Sequence, residues 1–150
     1  MAPFIVLAAG FAVLRGLGAV GVEGLDGWHP ALRGALALMV TLTATAHFSR
    51  TRRSDLIAMV PPELPRPALL VTVTGILELA AAVGLLVPAT AHLAAGCLAA
   101  LMLAMFPANV SAARRGLTLA GRPVTPLGRR TVLQVVFVAA ALAAALMPAG

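Results

Sequence analysis

The sequence predicts an all-α, polytopic membrane helix bundle with five transmembrane helices, and three observations carry that prediction. Of the 150 residues, 61% are hydrophobic and only 11% charged, with a mean hydropathy of +1.00, a balance foreign to water-soluble domains of this size. The apolar residues gather into five runs, at 3–22, 29–48, 67–87, 89–106 and 130–147. Each approaches the roughly 20 residues that cross a hydrocarbon core. Between the runs, arginine-rich segments alternate with segments that have no arginine, as loops on opposite membrane faces do. The chain reads as one integral-membrane domain, 1–150.

The first run carries no basic residue ahead of it, and Arg15 interrupts its apolar stretch, so it reads as a span and not as a cleaved signal. Loop one holds Glu23 and Asp26. The second run ends at His47 and Phe48. Loop two carries Arg50, Arg52, Arg53 and Arg66 against Asp55 and Glu63. Its apolar stretch 56–60 is too short to cross, so an interfacial helical turn is expected after Ser54 and Asp55. An extended link through Pro61, Pro62 and Pro65 should follow. Loop three, 87–90, is so short that spans three and four must be antiparallel neighbours. Loop four carries Arg114, Arg115, Arg122 and Arg129, with Arg130 at the next span's start, and a short amphipathic turn is expected in it. Arg50, Arg52, Arg53, Arg114, Arg115, Arg129 and Arg130 act as topology determinants. They place loops two and four inside, giving N-in and C-out.

The same features exclude several function classes. The net charge of +6 and pI near 11.8 invite a nucleic-acid reading, but the arginines cluster in short loops between spans. One cysteine permits neither an internal disulfide nor a CxxC pair. The three histidines have no metal-ligand spacing, so no metal site is expected. Gly16, Gly18 and Gly21 match G-x-G-x-x-G, a motif with meaning only between a strand and a helix. Inside an apolar helix, such glycines permit close packing. Cys97, Met102 and Met105 read as packing residues, and His29 and His92 as solvated loop residues on the outer side.

Glu78 lies in the middle of the third span, where a lone charge costs about 3 kcal/mol on insertion scales. Counting from the cytoplasmic starts of their spans, Arg15 and Glu78 both fall roughly 17 Å deep. Each shares its helix face with small residues. An Arg15–Glu78 ion pair is therefore expected, either as a purely structural pair or as one that also lines a ligand or proton site. The remaining reading has Arg15 snorkelling outward over a protonated Glu78. A polar mouth is expected at the cytoplasmic side, formed by His47, Thr72, Thr74, Pro107 and Asn109. His47 reads first as an interfacial hydrogen-bonding residue, and Asn109 as a helix cap after a bend at Pro107.

The ordered succession of Ala46-His47-Phe48, Pro61-Pro62-Glu63-Leu64-Pro65-Arg66-Pro67, Thr74-Gly75-Ile76-Leu77-Glu78 and Phe106-Pro107-Ala108-Asn109 resembles the DoxX-like small membrane proteins. The resemblance covers roughly residues 29–147. It implies a four-helix core, 29–147, to which helix 3–22 is an N-terminal addition. It also implies a redox setting, since such proteins have been linked to thiosulfate:quinone oxidoreduction and oxidative-stress complexes, and a shared structural site at His47, Glu78 and Asn109.

The expected function is thus a non-catalytic multi-pass protein of the bacterial inner membrane that binds a small hydrophobic ligand, quinone or lipid. It would serve a redox or stress-related protein partner, with no catalytic residue and no evident cofactor beyond that quinone. One alternative is a small-solute or proton-coupled transporter, which would need a homo-oligomer. Another is a subunit of a quinone-linked oxidoreductase. A reporter that works only outside the cytoplasm should be active when fused at Gly150 and silent within 49–66 or 111–129; the reverse pattern overturns the orientation.

Overall fold

A computed structural model describes residues 2–147. Among the described residues the chain forms α1 (Ala2–Ala19), α2 (Trp28–Phe48), α3 (Arg53–Met59), α4 (Pro67–Leu86), α5 (Ala91–Arg114) and α6 (Leu127–Leu146), with a hairpin of β1 (Thr118–Leu119) and β2 (Arg122–Pro123) between the last two helices. Helices α1, α2, α4, α5 and α6 are each long and apolar enough to cross a membrane, at 18 to 24 residues. The all-α bundle is the one the hydrophobic periodicity predicts.

Packing follows chain order. Helix α1 lies on α2, α2 on α4, α4 on α5 and α5 on α6, while α6 returns to touch α2. The result is a ring of four helices with α1 added outside α2. At its centre Leu36, Met39 and Val40 of α2 meet Leu85 of α4 and Leu98 of α5, with Ala35, Ala95 and Ala144 letting the backbones come near. The outer surface is apolar as well: Ile5, Val83, Leu93, Val132 and Leu146 are all more than half exposed. A surface of that kind is stable against lipid and costly against water.

Glycine sets the closest approaches. A Cβ on Gly75 of α4 would stand 2.6 Å from the Cβ of His47, and one on Gly84 would stand 2.7 Å from the Cβ of Ala94. The first contact seats the end of α2 against the middle of α4. The second joins α4 to α5 next to their short connection.

Three expectations about the loops and ends need correction. The link after α3 is not extended, because Leu64 N–H donates to Pro61 O at 3.0 Å and folds 61–64 into a turn. Loop four holds a hairpin in place of an amphipathic helical turn. Ala120 and Gly121 both have positive φ, 52° and 74°, as a two-residue primed turn requires. Gly121 takes that conformation freely, and Ala120 is held there by a 2.8 Å bond from its N–H to Asp55 Oδ2. Finally, α5 does not end near Phe106 but continues through Pro107 to Arg114. Proline cannot donate to the carbonyl four residues back. The carbonyl left without a helical donor is that of Leu103; next to it, Gln134 Nε2 of α6 donates to Met102 O at 2.7 Å and ties the two helices together at that level.

Replacing Gly75 with valine should force α2 and α4 apart and cost about 1–3 kcal/mol, the usual penalty of overpacking. Gly16→Ala, with nothing within 4 Å of the added carbon, should leave stability unchanged or raise it. Thermal unfolding in detergent compares the two.

Candidate functional site

The polar residues of the interior collect where the last turns of α2 cross α4. His47 ends up there because α2 runs one residue beyond it, and Gly75 leaves room for its ring. Glu78, one turn further along α4, is 5% exposed and His47 8%. Thr43, one turn before His47, donates its hydroxyl to Glu78 Oε2 at 3.1 Å. His47 Nε2 stands 3.6 Å from the same oxygen, the one ion-pair contact among the described residues.

The other ring nitrogen fixes the chemistry of the pair. His47 Nδ1 lies 2.8 Å from Val71 O. A carbonyl only accepts, so Nδ1 carries the hydrogen, and Thr74 Oγ1 lies 3.3 Å from the same nitrogen. In the neutral ring Nε2 then presents a lone pair toward a carboxylate oxygen, and two acceptors do not face each other stably. At 3.6 Å no hydrogen bond joins the two, and the contact is an ion pair when the imidazole is charged. The pair thus brings two titratable side chains together inside an apolar helix interface. Glu78 directs only Oε2 at these partners.

Arg53 anchors this region from α3. Its Nη1 donates to His47 O at 2.8 Å, and its Nη2 to Thr72 Oγ1 at 2.7 Å and Ala68 O at 3.1 Å. The arginine joins the end of α2 to the first turns of α4, a task beyond setting topology. Thus His47, Thr72, Thr74 and Glu78 come together. Asn109 and Pro107 do not join them: Asn109 Oδ1 accepts from Arg130 Nη1 at 2.6 Å, on the α5–α6 seam. The expected single mouth is two polar ties. Asn109 lies inside α5, so it is not a helix cap.

The expected Arg15–Glu78 pair is absent. Leu14 lies over Gly34 of α2, and Gly10 against Ala35 and Leu38, so Arg15 sits level with the first half of α2. Glu78 sits level with Thr43, roughly 15 Å further along at 1.5 Å per residue. Equal counting from the helix starts misleads because α4 begins beyond the end of α2, where α3 packs. Helix α2 also stands between α1 and α4. Arg15 Nη1 is buried with no hydrogen-bond partner.

The model of the family described as Domain of unknown function (DUF8561) matches residues 36–145. The chain belongs to that family. The match runs from the middle of α2 to the last turn of α6, so it holds Thr43, His47, Glu78, Asn109 and Arg130 and leaves α1 outside. No curated protein and no solved structure matches the chain significantly.

A second polar cluster, at the opposite end, was not legible as one. His29 is 1% exposed, and its Nε2 donates to Ala144 O at 3.0 Å. His92 Nδ1 donates to Ala145 O at 2.9 Å. The two rings stack with centroids 5.1 Å apart, and Trp28 meets His29 edge-on at 5.4 Å. Both lie in helices and not in loops; His29 is buried, His92 is exposed as expected, and together they close the last turn of α6. Arg33 does the same for α4, its Nε donating to Leu85 O at 2.8 Å. The signal available in the sequence was a basic side chain at the level of a helix C-terminus, which attracts it. Cys97 is likewise not a core residue but an exposed one.

Double-mutant cycles in thermal or denaturant unfolding test the rearranged pairing. His47→Ala and Glu78→Ala should couple by about 0.5–3 kcal/mol, because the side chains touch. Arg15→Ala and Glu78→Ala should add within about 0.5 kcal/mol. Coupling of the second pair and not the first would contradict this geometry.

Proposed function

We propose that the chain is a non-catalytic, multi-pass protein of the bacterial inner membrane that holds a hydrophobic, chain-like ligand against α4 and α5. One observation supports this most directly. Below the close contact of Gly84 with Ala94, a laterally open groove of about 290 Å³ runs between the two helices, lined by Leu77, Ala80, Ala81, Leu93, Cys97 and Leu101 among others. Alanines on both walls leave the space, and every lining side chain but Thr90 and Cys97 is hydrocarbon. Thr90 gives its hydroxyl to Gly84 O at 2.9 Å. The one other polar group there, the free Cys97 thiol, is only a weak donor toward a quinone carbonyl. The residues fit a lipid acyl chain, or the isoprenoid tail of a quinone, better than a quinone ring.

Orientation and partner belong to the same proposal. The arginines of loops two and four favour N-in and C-out. The DoxX-like succession of His47-Phe48, the proline-rich link, Thr74-Gly75 with Glu78, and Phe106-Pro107 with Asn109 supports a redox or stress-related membrane partner. Mass spectrometry of protein purified in mild detergent should find a lipid or quinone in near-stoichiometric amount, and Ala80→Phe, which fills the groove, should release it. Protein that is repeatedly ligand-free would sink the proposal.

A second reading, a proton-coupled transporter, draws on the His47–Glu78 pair, two titratable side chains 3.6 Å apart within a buried interface. In liposomes this reading requires pH-dependent flux that Glu78→Gln abolishes. Flux that survives Glu78→Gln, or no flux under a proton gradient, would remove it.

A further inference from the structure

The geometry points to a second and separate site, on the α5–α6 face, for an anionic phospholipid. A groove of about 260 Å³ runs there between Leu103 of α5 and Val135, Val138, Ala139 and Leu142 of α6. On α5 the distance from Leu103, which lines the groove, down to Arg114 is roughly 17 Å at 1.5 Å per residue. That is close to half of a bilayer's ~30 Å core, the depth of one acyl chain. The polar seam of Gln134 with Met102 O and Arg130 with Asn109 closes the groove's side without entering it as charge.

The foot of the groove is where charge selects the occupant. Residues 103, 110 and 114 recur at helical spacing, so Arg114 lies on the face of α5 that Leu103 presents to the groove. It is exposed, and it makes no hydrogen bond or ion pair among the described residues. Around it the whole end of the bundle is basic. Of the chain's eleven basic residues, all but Arg15 and Arg33 lie at this end, against two carboxylates, Asp55 and Glu63. Asp55 is occupied by the Ala120 N–H, and among the described residues no arginine forms a salt bridge. Arg53, Arg115 and Arg130 give their donors to neutral oxygens, which leaves their charge uncompensated. A protein that leaves so much positive charge unpaired at a membrane surface attracts anionic headgroups. The apolar groove above Arg114 gives one of those lipids a defined seat. Its phosphate meets the guanidinium and its acyl chain lies along Leu103, Val135 and Ala139.

This inference rests on the five helices being membrane spans, as the proposed function does, but it concerns a different groove. Native mass spectrometry of detergent-purified protein, supplied with phosphatidylglycerol or phosphatidylcholine, tests it. The wild type should retain one phosphatidylglycerol in preference to phosphatidylcholine. Arg114→Gln should weaken that retention roughly fivefold, the effect of one arginine at an anionic surface. Ala139→Phe should weaken it from the apolar end, while Arg50→Gln, an exposed arginine of loop two, should not. Equal loss in Arg50→Gln would mean diffuse surface charge, and equal retention of phosphatidylcholine would mean an unselective acyl groove. A dimer mass in place of lipid would mean that a second copy covers the face. Each of these overturns the site. Ala139→Phe leaves the α4–α5 groove intact, so loss of this lipid and loss of the other ligand are read separately.

Discussion

Helix C-termini leave carbonyls without donors, and in an apolar surrounding no water supplies them. This chain meets that constraint with basic side chains sent from one element to the end of another. Arg53 of α3 closes α2 at His47 O, Arg33 of α2 closes α4 at Leu85 O, and His29 closes α6 at Ala144 O, while at exposed positions Arg115 and His92 do the same for α3 at Ala58 O and α6 at Ala145 O. Each cap also places positive character at the negative end of a helix dipole. Because donor and acceptor come from different elements, every cap is a cross-tie as well. The arrangement of the ring is specified at its two ends by these bonds and through its middle by alanine and glycine packing.

The carboxylate follows from the same constraint. Glu78 faces α2 because the small residues Gly75 and Ala82 place that side of α4 in the interface. There it meets a hydroxyl from Thr43 and an imidazole whose far nitrogen is already committed to Val71 O. The commitment fixes the ring so that its near nitrogen faces Oε2 at 3.6 Å.

Five spans, their limits to within a few residues except in α5, and the location of the arginine-rich end were all readable from periodicity and composition. Those are local properties, and each is repeated over many residues. The partner of Glu78 was not readable, because it depends on the relative height of two helices. Counting from predicted starts treats all spans as level, while α4 in fact begins beyond the end of α2, next to α3. The role of His29 was hidden for a related reason. Next to Trp28 and an acidic loop it looks like an exposed boundary residue, and only the return of α6 to α2 buries it. Asn109 was misplaced because Pro107 normally ends a helix, and here α5 continues through it to Arg114.

The closure of α6 by His29 and His92 bears on how the bundle assembles. Helices α2 and α5 precede α6 in the chain, so the two imidazoles are made before the carbonyls of Ala144 and Ala145 exist. Until the final turn of α6 is made, the ring has an open side and His29 has no acceptor for its Nε2 hydrogen. The arrival of α6 is then what closes the ring, and the aromatic stack beside Trp28 forms the clasp.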